Sequence, residues 1–253
     1  MNSYGDLLKG WRQTRHLSQL GLAAEAQVSS RHISFLETGR SGPSRGMVLR
    51  LSEVLGVPRA ARNLMLTAAG HAPVYRSRDL ADPDIRPLWS MVERMIARHD
   101  PYPALVMDQL WSVLAMNDAA TRLMSPSGIA PGVSLLTTLL ADSPVRQAVE
   151  NWPEVAHHAL IRLRGESVAA GGIAEFAPMI EALEADPDLR AFDGAGHLPA
   201  VVPAIYRLGD LRLSLVSTFA QFGSAEDIAL SEMKIEMMFP ADDATRQFLE
   251  AAG

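Results

Sequence analysis

Cysteine is absent from the 253 residues of this chain. That excludes disulfides, thiolate metal sites and cysteine nucleophiles, and it fits a reducing cytoplasm, where the chain is expected to reside. Also missing is a basic start followed by an apolar run of signal-peptide length. No stretch approaches the roughly 20 apolar residues that span a bilayer, so no membrane partner is expected. There is no Gly-rich phosphate loop, no nucleophile elbow and no assignable Ser-His-Asp set. The pair His157-His158 falls on a predicted helix, where neighbours point about 100° apart, so the two cannot share a metal as i, i+4 ligands do. No nucleotide or metal cofactor and no catalytic residue is therefore expected. Internal repeats and low-complexity tracts are lacking too.

What is present is an ordinary globular composition, 48% hydrophobic and 21% charged, able to bury a core. The length suits one large domain or two ordinary ones. A net charge of -6 argues against a nucleic-acid partner, but the sum hides an asymmetry. Residues 1–78 hold 11 Lys and Arg against 4 Asp and Glu, a balance of +7; residues 79–253 hold 12 against 25, a balance of -13. A basic module joined to an acidic one implies that only the front part meets a polyanion.

The periodicity predicts five short helices at the front. Tyr4 to Arg15 places Leu7, Leu8 and Trp11 on one face. Ser18 caps a helix to about Ala26, and Ser29 one to about Glu37 that Gly39 closes. Pro43-Ser44 introduces a fourth through Leu55, and Pro58 a fifth that Gly70 ends. The Pro-rich stretch from Ala72 to Pro87 marks the boundary, followed by an amphipathic helix around Trp89 to Arg98. We expect a helix-turn-helix domain over 1–72, a linker and connecting helix over 73–100, and a mixed domain over 101–253. In that last part Ala104–Met107 with Trp111–Met116, and Val201–Leu208 with Leu211–Phe219, read as two hairpins, the second turning at Gly209-Asp210. Asn117 caps a helix to Leu123. Residues 134–164, 173–184, 226–233 and 241–251 read as helix.

The informative stretch runs from Ser18 to Arg40. A helix-turn-helix needs inward apolar residues on its first helix, here Leu22 and Ala23. A small residue must sit at the crossing, Ala23 or Ala26, and an apolar one in the turn, Val28. Inward positions on the second helix follow, Ile33 and Leu36. Ser30, Arg31, Ser34 and Phe35 then form the outward face, with His32 at its edge. Arg31 is the best base reader, because its planar fork pairs bidentately with guanine, worth about 1–3 kcal/mol of discrimination. Arg40 and Arg45 flank the helix and suit phosphate contacts.

On these residues the run from Leu8 to Ala69 resembles the XRE family, phage-repressor and Cro-like helix-turn-helix regulators of bacteria. The resemblance implies a phosphate contact from Gln19, base contacts from Ser30, Arg31 and the position of Phe35, and a structural pair between Arg12 and Glu37. Phe35 stands where the family usually carries a polar residue, and it suits contact with a thymine methyl. Ser29, His32, Ser34 and Thr38 complete the expected DNA-binding set. Further on, Glu37 to Tyr75, Pro101-Tyr102-Pro103-Ala104, Asp108-Gln109-Leu110-Trp111, Asn117-Asp118-Ala119-Ala120, Ser217-Thr218-Phe219 and Phe239-Pro240-Ala241-Asp242 resemble the subfamily with an MmyB-like ligand-binding domain. That implies a PAS-like α+β sensor fold around an apolar cavity, with a fatty-acid-like effector.

Read from the residues, Trp111, Val113, Met116, Leu123, Trp152, Val155, Phe219, Phe222 and Phe239, with Met237 and Met238, are candidates to line such a cavity, flexible methionines suiting an adaptable one. Arg162, Arg164 and Arg212 are candidates to clamp a ligand carboxylate, Arg162 foremost. The expected function is a dimeric, sequence-specific transcription regulator sensing a small apolar ligand. Two alternatives stand beside it, a rear domain that docks a protein or peptide, and a rear domain that is an enzyme.

Overall fold

The computed structural model of the chain describes residues 3–140, 143–193 and 200–252. It divides into two compact units, Met1–Ser77 with Gly165–Ile173 and Ala225–Ile228, and Arg78–Arg164 with Ala174–Ser224 and Ala229–Gly253.

The front unit is built of five helices up to Ala68, as local signals dictate: α1 (Tyr4–Thr14), α2 (Gln19–Glu25), α3 (Ser30–Glu37), α4 (Arg45–Val54) and α5 (Arg59–Ala68). Ser18, Ser29 and Ser44 each accept a hydrogen bond from a backbone N–H in the first turn, at 2.9, 3.1 and 3.2 Å, satisfying donors that have no partner in the helix. Ser3 adds a capping box with Asp6 at the start of α1. Leu8, Leu22, Ile33, Leu51 and Met65 meet in one buried cluster. Two glycines serve special geometry. Gly39 ends α3 at φ +71, and Gly5 lets α1 approach the end of α3, where a Cβ would lie 2.4 Å from the Glu37 carbonyl oxygen.

The second unit runs α6 (Arg86–Ala97), β1 (Ala104–Met107), β2 (Val113–Met116), α7 (Asp118–Met124), α8 (Pro144–Ala148), α9 (Trp152–Ala170), α10 (Ala177–Ala185), α11 (Pro187–Ala191), β3 (Ala204–Leu208), β4 (Leu211–Ala220), α12 (Ile228–Glu232), β5 (Lys234–Pro240) and α13 (Asp243–Ala252). Its sheet has the order β2-β1-β5-β4-β3 with antiparallel neighbours throughout. With the helices crossing between β2 and β3, this is the PAS-like α+β arrangement. Asn117 ties it together. Its carboxamide oxygen accepts from the N–H groups of Ala104 and Ala120, both at 2.9 Å, and its NH₂ donates to the carbonyls of Ile96 and Tyr102 at 3.1 and 2.8 Å.

Several expectations shift. The central strand β5 falls in a stretch to which the periodicity assigns no element, and it joins the two hairpins by pairing with both β1 and β4. The helix expected over 134–164 is broken into a 3₁₀ turn (Leu135–Leu139), α8 and α9, Pro144 fitting only a first helical turn; its residues 141 and 142 lie outside the described residues. The strand expected from Val201 begins at Ala204, after Pro203. Helix 226–233 shrinks to α12. Trp111 leaves the second strand, at φ +60, because Asp108 accepts the N–H groups of both Leu110 and Ser112 at 2.8 Å and closes a turn. Among the described residues no helix is long and apolar enough to cross a membrane.

Candidate DNA interface and ligand cavity

The front unit presents α3. A left-handed residue, Gln27 at φ 52, turns the chain between α2 and α3, with Ala23 and Ala26 buried at the crossing. Ile33 and Leu36 point inward, which leaves Ser30 and Arg31 exposed in the first turn and Ser34 and Phe35 half-buried beside them. The ring of Phe35 lies between two guanidiniums, 5.1 Å from that of Arg31 and 5.8 Å from that of Arg40. Such contacts hold a cation by the ring quadrupole, so Phe35, where the resembled family usually carries a polar residue, supports two arginines at the surface. Arg45 is exposed at the first position of α4.

The pair expected between Arg12 and Glu37 is present and bidentate, at 2.6 and 2.9 Å, with the side chains only 11% and 4% exposed. Gln19 donates its amide to the same Glu37 carboxylate at 2.8 Å, which fixes the side chain expected to meet phosphate. Ser29 is engaged as the cap of α3, and the Thr38 hydroxyl donates to the Ser34 carbonyl at 2.7 Å. His32 is half-buried at the edge of the face. An arginine that no sequence signal singles out, Arg50, donates to Gln27 at 3.1 Å beside the turn.

In the rear unit, a cavity of about 300 Å³ lies between one face of the sheet and α9. Helical spacing puts Val155, His158, Ala159 and Arg162 in one stripe along it. Strand alternation delivers Ser217 and Phe219 from β4 and Glu236 and Met238 from β5, Phe219 standing directly opposite Glu236. Trp111, displaced by its turn, lines it as well. The guanidinium of Arg162 sits 4.4 Å from the Trp111 ring and 3.7 Å from the Phe219 ring. A side cavity of about 50 Å³ adjoins it, sharing Met124, Ile129, Val145, Tyr206 and Leu215.

Burial raises the carboxyl of Glu236, while a hydrogen bond from Ser217 and the charge of Arg162 pull it back without cancelling that rise. The phenol of Tyr206 is pushed up to about 12 by burial and by the charge of Glu236.

Of the residues expected to line the cavity, Trp111, Val155, Arg162, Phe219 and Met238 do so. Leu123 lines only the side cavity. Val113 and Met116 do not reach it, because β2 is the edge strand beyond β1. Trp152 is a structural corner. Its indole N–H donates to Asp186 at 3.0 Å, and the Arg146 guanidinium stacks on it at 4.0 Å. Phe222 lies past the end of β4. Phe239 and Met237 occupy the opposite face of β5, Phe239 meeting His99 with ring centroids 4.8 Å apart. Neither Arg164, which pairs with Glu184, nor Arg212, 3.4 Å from Glu150, lines the cavity. His157 turns toward Phe192, at 5.5 Å, while His158 faces the cavity. Among the described residues no group of His, Asp and Glu is arranged to hold a metal. Glu236 and Tyr206 carry no signal in the sequence, and only pairing between distant strands puts them beside Ser217.

A family model for a helix-turn-helix domain matches residues 3–65, and one described as the MmyB-like transcription regulator ligand binding domain matches residues 90–252. Among solved structures, the chain is similar to the PAS domain of Bordetella pertussis BvgS, with 12% identity over 66% of this chain and 95% of that one and a TM-score of 0.29. It is also similar to an RNA-binding light-oxygen-voltage receptor, with 12% identity over 97% of this chain and 62% of that one and a TM-score of 0.28. No curated protein matches its sequence.

Proposed function

Because the chain belongs to the MmyB-like transcription regulators, we propose that its front unit reads a specific operator as a homodimer and that a small apolar ligand in its rear unit controls this binding. Arg31 reads a base edge bidentately, with Ser30 beside it, while Phe35 holds Arg31 and Arg40 at the surface. Gln19, Arg40 and Arg45, with Ser29, His32, Ser34 and Thr38 around them, meet phosphates and set the register. A single recognition helix binds weakly and in a salt-sensitive way, which favours two copies on a pseudo-palindromic site.

The observation that carries the sensing half is the cavity, whose 300 Å³ falls within the range of about 300–1,000 Å³ found for small-molecule sites. A rear domain that only docks a protein would go with a packed interior there. An apolar chain fits among Met124, Ile129 and Leu215, with a polar end toward Arg162. One observation favours the enzyme reading, the convergence of Glu236, His158, Arg162 and Tyr206 on one cavity. Both matched domains, however, are those of a transcription regulator, and the same groups suit a ligand head group. The ligand acts through differential affinity for DNA-competent and incompetent states, since equal affinity shifts nothing.

The test is retention of the purified chain on DNA from upstream of its own gene, at fixed salt, with and without lipid extract. Specific retention that is lost on Arg31→Ala and altered by the extract is the expected result. Retention indifferent to every extract would move the rear unit's role to a protein partner, and no specific binding to any genomic fragment would overturn the operator reading.

A further inference from the structure

Both signs of charge are built into the cavity. Glu236 projects into it from the central strand, flanked across the sheet by Leu105 and Phe219. Arg162 reaches in from α9 and is held 3.7 Å over the ring of that same Phe219, so the two charged groups share one end of the chamber. Ser217 hydrogen-bonds to Glu236, and the Arg162 charge acts on it. The next cation along β5, Lys234, lies 6.0 Å from the Trp111 ring, the other ring partner of Arg162, and its charge acts on Glu232.

A bare carboxylate brought to this end meets Arg162 favourably but also stands beside Glu236, and two carboxyl groups sharing a site cannot both stay ionised without penalty. An ammonium meets Glu236 favourably but stands beside Arg162 and is repelled by it. A neutral group with both a carbonyl or hydroxyl oxygen and an N–H or O–H has neither conflict. Its oxygen accepts a hydrogen bond from the guanidinium and its N–H or O–H donates one to the Glu236 carboxylate, so the ligand's polar atoms have partners. The adjoining side cavity, sharing Met124, Ile129 and Val145 with the chamber, gives the apolar remainder of the ligand its place.

We propose that Arg162 and Glu236 form a head-group subsite selecting ligands whose polar end is neutral and both donates and accepts hydrogen bonds, the class of primary amides and alcohols on an apolar chain. The proposal rests on the sensing reading of the same cavity and narrows it: Arg162 attracts an oxygen acceptor, and Glu236 decides against a free acid.

The experiment is calorimetric titration of the full chain with dodecanamide, dodecan-1-ol and dodecanoic acid at about pH 7.5, where the free acid is ionised. The amide is expected to bind at least about tenfold more tightly than the acid, because one of the two carboxyl groups must take up a proton at this pH or both must stand charged side by side. Glu236→Gln, which keeps the shape and removes the charge, is expected to strengthen acid binding by about the same factor and to leave the amide little changed. The wild-type ratio stands as a test even if that variant fails to fold. Acid binding as tight as amide binding, or a ratio unmoved by Glu236→Gln, would overturn the proposal while leaving the sensor intact. Failure of all three probes to bind would overturn the apolar-ligand reading and the proposal with it.

Discussion

Replacing Glu37 with Leu tests whether a buried ion pair holds the DNA-binding unit together. The substitution leaves the Arg12 guanidinium, only 11% exposed, without its bidentate partner and the Gln19 amide without its acceptor. Removing one member of a buried pair costs about 3–5 kcal/mol, mostly because the remaining charge stays desolvated. A unit of this size is held by about 4–12 kcal/mol in all, so most of its margin would go. The assay is hydrogen exchange of the full chain, read in peptides containing Ile33, Leu36 and Leu51, where exchange should accelerate by about two to four orders of magnitude. The double variant Arg12→Met with Glu37→Leu should recover much of the protection, since an apolar pair of similar volume is often neutral. The pH dependence has a fixed sign. Burial works to raise the Glu37 carboxyl, but the bonds from Arg12 and Gln19 and the Arg12 charge outweigh it and hold it below its usual value. A depressed carboxylate lends stability above the unfolded value of about 4.3, and that stability is lost as pH falls through the folded one. The gap between wild type and Glu37→Leu should therefore close below about pH 4. A single variant that exchanges within about threefold of wild type at neutral pH would refute the reasoning, as would a double variant no better than the single one.

Gly5→Ala should destabilise the front unit although alanine is the better helix former by about 1 kcal/mol, because the new Cβ would press on the Glu37 and Leu36 carbonyls at 2.4 and 2.8 Å; faster exchange across α1 and α3 checks it. Tyr4→Phe should be neutral or stabilising by about 1 kcal/mol, since among the described residues nothing partners its buried hydroxyl, and thermal unfolding reads the difference. Phe35→Leu should relax operator discrimination by freeing Arg31 and Arg40, whereas Arg45→Gln should weaken binding to all sequences alike and reduce the salt slope by about 0.9; titrations on operator and scrambled DNA at several salt concentrations separate the two. Asn117→Ala, which removes four hydrogen bonds, three of them buried, should destabilise the rear unit by about 1–3 kcal/mol for each group left unsatisfied, seen as exchange of β1 and α7.

The front unit could be read from the chain itself because its signals are local. Ser18, Ser29 and Ser44 sit one residue before each helix they cap, the turn and crossing residues follow within a few positions, and the inward Ile33 and Leu36 differ from Arg31 by the helical period alone. Asn117 and Gly209 were legible for the same reason. Even there, tertiary structure decided what the sequence pattern left open: Phe35 is a platform between two arginines that lie four and five residues away, and Gln19 is held by a carboxylate on another helix. In the rear unit the balance reverses. The strand Lys234–Pro240 carries a charged residue between apolar ones and becomes a strand because β1 and β4 flank it; its identity lies in pairing with segments as much as 133 residues away, Ala104 opposite Met237. Which aromatics face the cavity was beyond composition, since a shift of one residue along a strand exchanges the two faces: Phe219 faces in, Phe239 faces His99, and Trp152 is spent on Asp186 and Arg146. Sequence alone determined a capped helical module and the existence of a mixed second one; pairing between distant strands decided that Glu236 and Arg162 meet in one chamber.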